Sequence, residues 1–327
     1  MMIQQGRQHS TDAEADATTT TNLTNMDSLG DQGDREGGEI GAFLEEIYVR
    51  YGYDLRDYAP VSIRRRVRAV LARSGLRDLT ELRRKVDSDP VFFASIVEHL
   101  TVRVSEMFRD PAFYRAFRSK VVPLLRTYPL LNIWHCGCAS GEEVYSSAIL
   151  LMEEGLYERS QIYATDLSPA AIEQARQGVY AAERLPLFAS NYVQAGGTAD
   201  FSRYYTAAYG RIAMRDSLRR KILFFQHDLV CDQVFSQMQV VFCRNVLIYF
   251  NHELRQRVIE KLRQSICHGG FLCLGSAERL SIAGPGTPQP PRTSGHREPA
   301  GSALGNVGPS GVFAEFAGDE RIYRQCQ

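Results

Sequence analysis

The chain has 327 residues, of which 44% are hydrophobic, enough to bury a full core and to build two domains. Its 38 basic residues balance its 38 acidic residues, so a globally basic surface for nucleic acid is excluded. The sequence shows no apolar leader of the secretory type and no run of roughly eighteen apolar residues. We therefore expect a cytoplasmic protein without membrane insertion.

Seven cysteines lie at positions 136, 138, 231, 243, 267, 273 and 326. The first two are too close in sequence for a usual disulfide, and no second pair of Cys or His follows at zinc spacing. The odd count indicates a reducing compartment, and we predict no metal site.

The N-terminal third of the chain divides into a polar segment and a helical segment. Residues 1–38 are rich in Gln, Thr, Asp and Gly, and their composition predicts a disordered leader. Helical spacing of apolar residues begins with Phe43, Leu44 and Ile47 and continues to about residue 100. We predict a small helical domain over residues 39–127.

From residue 128 to residue 327 strands and helices alternate, which is typical of a doubly wound, mostly parallel sheet with a reversed last edge strand. The strands are predicted at residues 131–136, 161–165, 223–225, 240–243, 271–274 and 320–324. Residues 200–222 are aromatic and basic and fit the alternation poorly, so we predict a small β insertion there. Residues 283–311 are rich in Pro, Gly and Ser, and we predict a flexible loop.

The segment 131–146 is the most informative one, because an apolar strand enters a glycine-flanked turn that is followed by two acids. This arrangement brings backbone against nucleotide-like ligands. Asp166 ends the next strand 25 residues after Gly141, close to the ~20-residue spacing of a carboxylate that binds a ribose hydroxyl. The two features predict a site for an adenosine-containing cofactor. The alternatives are an ordinary tight turn for the glycines and a helix cap for Asp166.

Four motifs in order resemble the CheR family, the methyltransferases that act on glutamates of chemotaxis receptors. They are Phe-Arg-Asp-Pro at 108–111, the glycine turn at 137–143, Ala-Thr-Asp at 164–166, and Cys-Arg-Asn-Val-Leu-Ile-Tyr-Phe at 243–250. The octet is long and specific, whereas the glycine turn alone is a weak signal. The resemblance covers roughly residues 40–280. It implies a helical domain followed by a class I, Rossmann-like methyltransferase domain with a small β insertion.

The resemblance implies S-adenosylmethionine as the methyl donor and a receptor glutamate side chain as the acceptor, with a glutamyl methyl ester as the product. The sulfonium is already activated and the carboxylate is already ionised, so the protein has to align the two and exclude water. Two rivals stay open: a cofactor-binding or receptor-docking module that has lost turnover, and a class I methyltransferase with another substrate. A nicotinamide dehydrogenase is disfavoured because the chain lacks G-x-G-x-x-G.

The resemblance also assigns site residues. It implies cofactor contacts by Arg103, Ser105, Arg109, Gly137, Gly141, Glu142, Asp166, Asp228, Leu229, Arg244, Asn245 and Val246. Glu142 is expected at the cofactor's ammonium, Asp166 at its ribose, and Asp228 and Leu229 at its adenine. Acids at the start of a helix are also favoured by the helix dipole alone, which is the other interpretation of Glu142. Asn245 has the alternative of satisfying local backbone groups.

Arg109 and Tyr249 are the catalytic candidates, expected beside the incoming glutamate. An arginine can bind a carboxylate through two hydrogen bonds, but Arg109 could equally form a surface ion pair with Asp110 or a nearby acid. Two residues depart from the family pattern. Arg103 stands where an amide is typical, and Ser276 stands where a histidine is typical, which motivates the rival without turnover.

Five arginines crowd one predicted helix: Arg64, Arg65, Arg66, Arg68 and Arg73. By resemblance this helix would bind the acidic methylation helices in the cytoplasmic part of a chemoreceptor. A solvated helix face and a local nucleic-acid contact are the alternatives. We expect the protein to be a monomer.

Overall fold

The computed structural model describes residues 36–100, 105–235, 237–280 and 313–326. The predicted leader up to residue 35, Arg103 and the predicted loop 283–311 lie outside the described residues. Among the helices of these described ranges, none has both the length and the apolar content that a membrane span requires.

Four helices form the N-terminal part of the described chain. They are α1 (36–51), α2 (Pro60–Ser74), α3 (Leu79–Ser88) and α4 (Pro90–Leu100). Asp78 caps α3 by accepting a hydrogen bond from the Glu81 N–H, and Gly75 ends α2 in the left-handed conformation. Residues 36–38 of the predicted leader lie in α1, where Glu36 is paired with Arg68.

Seven further α-helices and ten strands follow within the described ranges. The helices are α5 (Pro111–Ala116), α6 (Val122–Leu125), α7 (Glu142–Glu153), α8 (Pro169–Gln177), α9 (Leu185–Gln194), α10 (Asp216–Arg219) and α11 (His252–Ser265). The strands of the large sheet are β1 (Leu131–Cys136), β2 (Ser160–Asp166), β6 (Ile222–Gln226), β7 (Met238–Cys243), β8 (Ile266–Leu274), β9 (Phe313–Ala317) and β10 (Ile322–Gln325). A π-helical turn, Phe117–Val121, joins α5 to α6. Ser168 caps α8 by accepting from the Ala171 N–H, and Asn251 caps α11 by accepting from the Leu254 N–H.

The large sheet has the order β6-β2-β1-β7-β8-β10-β9. The strands from β6 to β8 are parallel, and β10 runs antiparallel to both β8 and β9. The doubly wound, mostly parallel sheet is therefore confirmed. The predicted edge strand corresponds to β10, which lies inside the sheet, so its edge position was wrong. On this side of the sheet the outermost strand of the described ranges is β9. Its exposed middle residues weaken its strand pattern in the sequence.

A second, antiparallel sheet has the order β3-β5-β4, with β3 at Val179–Ala181, β4 at Tyr205–Ala208 and β5 at Arg211–Met214. The hairpin β4–β5 is the predicted β insertion. Its third strand, β3, follows α8 directly and precedes the predicted insertion. The small sheet therefore packs segments from both sides of α9.

Two hydrophobic clusters cover the two faces of the large sheet. Ile133 points into the cluster that α5, α7 and α9 share, whereas its neighbour Trp134 points into the cluster that contains the N-terminal helices and α11. Side chains of successive strand residues face opposite sides, which explains this division. The helical part therefore shares a core with one face of the sheet. Tyr58 and Phe250 pack edge to face across this contact, 5.3 Å between ring centroids.

Candidate functional site

A cleft opens where β1, β2, β6 and β7 end, at the point where the chain order of the sheet reverses between β1 and β7. Ligands of open α/β sheets bind at such a switch point. The cleft holds about 1010 Å³ of empty space, including open solvent at its mouth. The predicted site residues that line it are Ser105, Arg109, Gly137, Asp166, Asp228, Leu229, Arg244, Asn245, Val246 and Tyr249.

The turn after β1 forms the floor of the cleft and is tied to the end of β2. Gly137 has φ +65°, and a Cβ there would lie 2.7 Å from Cγ2 of Val246, so glycine is required. The Ala139 N–H donates to Oδ2 of Asp166 at 2.9 Å, and the Ser168 N–H donates to Oδ1 at 2.9 Å. Asp166 therefore shapes two turns while its side chain borders the cleft.

Gly141 and Glu142 do not line the cleft. Gly141 has φ +90° and packs against α8, because a Cβ there would lie 2.9 Å from the Cβ of Ala175. Glu142 is fully buried, and its carboxylate accepts from Ser140 Oγ at 2.6 Å and from Arg184 at 2.5 Å. In this structure Gly141 packs against α8 and Glu142 pairs with Arg184, and the expected contacts of these two residues with the cofactor stay predictions.

Glu143, which the sequence analysis passed over, borders the cleft instead. Oε2 of Glu143 lies 2.9 Å from Arg244, and Oε1 lies 3.3 Å from Nδ1 of His135. Burial alone would raise the pKa of Glu143, but the hydrogen bond from His135 and the charge of Arg244 prevail and lower it. Arg244 also pairs with Asp110 at 2.8 Å. Adjacent residues on a helix point about 100° apart, so only one acid of the pair can face the cleft.

The turn after β6 supplies Asp228 and Leu229. Oδ1 of Asp228 accepts the N–H of Val230 at 2.7 Å and that of Cys231 at 3.3 Å, which is a local turn of the aspartate type. Burial raises the pKa of Asp228, and these backbone bonds oppose the rise. His227 was not predicted, yet it lines the same wall.

The carboxylates of Glu143, Asp166 and Asp228 line one part of the cleft, called the carboxylate end below, and Arg66 and Tyr249 line another, called the basic end. Arg66 of α2 is 5% exposed and donates to the Leu100 carbonyl at 2.6 Å. Its guanidinium carbon lies 4.4 Å from the ring centroid of Tyr249, and its Nε and second terminal nitrogen have no hydrogen-bond partner among the described residues. Burial lowers the pKa of Arg66 and raises that of Tyr249. The sequence predicted Arg66 on the helix that binds the receptor and did not predict it in the cofactor site.

A usable signal for Arg66 was present in the sequence. The buried residues of α2 are Ile63, Arg66, Val67 and Val70, so a charged residue occupies an apolar stripe with helical spacing. Such a position demands either a buried partner or a ligand.

Arg109 lies between the two ends. Its carbonyl accepts from Arg244, which pairs with Glu143, and its charge acts on the Tyr249 phenol. Within the described ranges the Arg109 guanidinium makes no hydrogen bond or ion pair, and Asp110 is instead paired with Arg244. The alternative of a surface pair between Arg109 and Asp110 is therefore excluded.

Three further expectations concern Ser276, Ser105 and a metal site. Ser276 is exposed and lies outside the cleft wall, and Ser105 lines the cleft while its carbonyl accepts from Arg184. Within the described parts of the chain, no group of three or more His, Cys, Asp or Glu residues is arranged to hold a metal ion.

Comparison with known proteins adds sequence relationships to this geometry. The model of the CheR methyltransferase all-alpha domain matches residues 38–101, and that of the CheR methyltransferase SAM binding domain matches residues 103–287. Cher3 of Pseudomonas putida is 48% identical over 245 residues, 75% of this chain and 90% of that protein. An uncharacterized 104.1 kDa protein of Rhodobacter capsulatus is 31% identical over 74% of this chain, which spans 25% of that protein. A chemotaxis protein methyltransferase of Listeria monocytogenes is 28% identical over 70% of this chain and 85% of its own length.

Proposed function

The chain belongs to the CheR methyltransferase family, whose cofactor is S-adenosylmethionine, and we propose that it methylates glutamate side chains of chemoreceptors. The product is a glutamyl methyl ester. The observation that carries this proposal is a cleft lined both by the carboxylates of Glu143, Asp166 and Asp228 and by Arg66, two of whose nitrogen groups have no partner among the described residues. This polarity suits a cationic donor and an anionic acceptor.

The carboxylate end fits the cofactor. Glu143 is held ionised by Arg244 and His135, so it is suited to bind the cofactor's ammonium. We assign Asp166 to accept from a ribose hydroxyl and Leu229 to pack against the adenine, since both line the cleft. Gly137 lets the backbone approach the ligand closely, because no side chain intervenes.

The basic end fits the acceptor. Arg66 keeps two nitrogen groups without a partner among the described residues, and a guanidinium binds a carboxylate through parallel hydrogen bonds. Burial raises the pKa of Tyr249, so its phenol stays protonated at neutral pH and can donate to the acceptor. We assign Arg109 to both ends, as a partner of the cofactor's carboxylate and of the incoming glutamate.

S-adenosylmethionine, when bound, supplies a methyl group whose sulfonium leaves as a neutral thioether. The residues of the chain have to align the acceptor oxygen with that methyl carbon and exclude water from the carboxylate. A glutamate is ionised at neutral pH, so no residue has to remove a proton. Catalysis in this account comes from Arg66, Arg109 and Tyr249 through orientation.

We propose that the exposed part of α2 is the surface that binds the receptor. Arg65 is exposed there, while Arg64 and Arg68 lie beside Glu36. A basic face favours acidic receptor helices and rejects basic ones. We place the reaction on the cytoplasmic helices of the receptor. The domain division at residues 127 and 128 and the monomeric state remain predictions.

The direct test is methyl transfer from S-adenosylmethionine with a tritiated methyl group to purified cytoplasmic fragments of chemoreceptors. We expect label that alkali releases as methanol, because esters are base-labile, and no label on fragments with Gln in place of the acceptor Glu. Alkali-stable label would contradict a glutamyl ester. Tight binding of S-adenosylhomocysteine without any transfer would favour the docking module.

A further inference from the structure

The turn that follows β7, residues 244–250, carries much of the cleft wall and is termed the β7 turn below. Arg244, Asn245, Val246 and Tyr249 of this turn line the cleft. Residues 247–249 form a single 3₁₀ turn, and the rest of the segment lies outside helices and strands. The conformation of the β7 turn therefore has to be held by contacts from other elements.

Glu278 binds the backbone N–H groups of the β7 turn. Its carboxylate accepts from the Asn245 N–H at 2.8 Å and from the Ile248 N–H at 3.2 Å, and it also accepts from the Gly275 N–H at 2.6 Å. Glu278 is 1% exposed and does not border the cleft. Glu278 is a buried carboxylate with several N–H donors and no ion pair to another residue of the described ranges, so it is placed to organise backbone.

Arg255 of α11 binds the carbonyl groups of the same turn. Its Nε donates to the Leu247 carbonyl at 3.3 Å, and a terminal nitrogen donates to the Phe250 carbonyl at 3.2 Å. Arg255 is 8% exposed, and like Glu278 it lies outside the cleft wall. Glu278 therefore binds N–H groups of the β7 turn, and Arg255 binds its carbonyl groups.

Because Glu278 and Arg255 bind the backbone of the β7 turn, the Asn245 side chain remains available to bind a ligand. Asn245 has φ +62°, a left-handed conformation that needs support in a residue other than glycine. Gly275 lies so close that a Cβ there would meet the Asn245 amide nitrogen at 2.7 Å. The Asn245 amide makes no hydrogen bond with another described residue, because Glu278 already satisfies the backbone of the turn. The alternative role of Asn245 in satisfying local backbone groups therefore falls to Glu278.

We propose that Glu278 and Arg255 are positioning residues that together hold the β7 turn so that Asn245 faces the cofactor and Tyr249 faces the acceptor. The proposal rests on the proposed function for the roles of Asn245 and Tyr249. Neither positioning residue touches a reacting group. They act on the reaction through the backbone of the turn.

The test uses the full chain with Glu278→Gln and, independently, Arg255→Met. A glutamine keeps one acceptor oxygen and sets its amide N–H groups against a backbone donor, so one donor loses its partner. Glu153→Gln is the matched control, because Glu153 is a buried carboxylate that pairs with Arg118 away from the cleft. The three measurements are backbone hydrogen exchange over residues 244–250 without ligand, the Kd for S-adenosylhomocysteine, and kcat and KM for receptor methylation.

We expect faster exchange in the β7 turn, about 10-fold weaker binding of S-adenosylhomocysteine and a lower kcat in both positioning variants. The Glu153→Gln control should lose stability and keep these three quantities. Unchanged exchange and unchanged Kd in both positioning variants, with only a lower Tm, would overturn the proposal. Absence of receptor methylation by the wild type would contradict the proposed function alone, since exchange and the Kd report on the turn without a receptor.

Discussion

The two ends of the cleft are built in different ways. At the cofactor end, Gly137, Asp166, Asp228 and Asn245 each lie within two residues of the end of a parallel strand. At the acceptor end, Arg66 comes from α2, and it meets Tyr249 only because the helical part packs on one face of the sheet. One end is a product of sheet topology, and the other is a product of docking between helices and sheet.

The difference has a functional consequence. The cofactor end is held by short-range contacts between neighbouring turns, such as Asp166 with the Ala139 N–H. The acceptor end depends on contacts such as that of the Ala59 N–H with the Tyr249 carbonyl at 2.8 Å. The two ends should therefore respond separately to substitution, with cofactor affinity and receptor KM as the separate measures.

The largest expected effect comes from Asp166→Ala at the cofactor end. The change removes a ribose acceptor and leaves the N–H groups of Ala139 and Ser168 without their carboxylate. We expect binding of S-adenosylhomocysteine to weaken by about 100-fold or more, measured by isothermal titration. Asp228→Ala is the comparison, since Oδ1 of Asp228 serves local backbone, and its effect should be smaller. Equal losses in the two variants would contradict the special role of Asp166.

Arg109→Ala should affect both ends, because we assign Arg109 to the carboxylates of both ligands. We expect kcat/KM for receptor methylation to fall by about 30-fold and the affinity for S-adenosylhomocysteine to fall by a smaller factor. Arg115→Ala is the control, since Arg115 contacts the Gln194 carbonyl outside the cleft. An effect on the Kd alone would remove Arg109 from the acceptor end.

Tyr249→Phe isolates the phenol at the acceptor end. The ring that Arg66 packs on is kept, so only the donor to the acceptor carboxylate is lost. We expect about a 10-fold loss of kcat/KM for the receptor and an unchanged Kd for S-adenosylhomocysteine. Methylation kinetics at several receptor concentrations provide the measurement, and a weaker cofactor Kd would assign the phenol to the other end.

The smallest effect is the pH dependence of stability that Glu143 contributes. Its pKa in the folded protein is lowered from an ordinary value of 4.5. Its ionised form therefore adds stability above about pH 4.5, and this stability is lost as the pH falls through the folded pKa. We expect the free-energy difference between wild type and Glu143→Gln, from urea unfolding, to shrink as the pH is lowered below 4.5.

Glu278 provides a control of opposite sign. Burial raises its pKa above 4.5 in the folded protein, and its backbone hydrogen bonds only reduce that rise. Its ionisation therefore weakens folding as the pH rises from 4.5 toward the folded pKa. Parallel pH slopes for the Glu143→Gln and Glu278→Gln differences would contradict the assigned environments of the two carboxylates.

The features that could be predicted from the sequence are those determined by residues close together in the chain. The alternation of strands and helices predicted the parallel sheet, and the glycine turn and the strand ends predicted the carboxyl-end turns that hold Gly137 and Asp166. These features depend on residues close in sequence or on neighbouring strands. They could be inferred before any packing was known.

Glu143 and Arg66 were not predicted to line the cleft, because packing between distant segments decides their positions. Glu143 rather than Glu142 faces the cleft because Arg184, 42 residues later, pairs with Glu142. Arg66 enters the site because α2 docks on the β7 turn. For both residues the pattern permitted two outcomes, and a tertiary contact selected one. The strand β9 was not predicted for a different reason, which is that its two exposed middle residues weaken the alternation of the strand.

In the proposed division of the cleft, Arg66 and Tyr249 bind the acceptor and do not affect cofactor binding, whereas Arg109 serves both ligands. Isothermal titration of S-adenosylhomocysteine into the Arg66→Met variant tests it most directly, beside the exposed neighbour variant Arg65→Met as a control. We expect a Kd equal to that of the wild type, in a protein whose KM for the receptor has risen by about 10-fold. A Kd that weakens as much as in Asp166→Ala would instead show that the cleft is a single, undivided cofactor site.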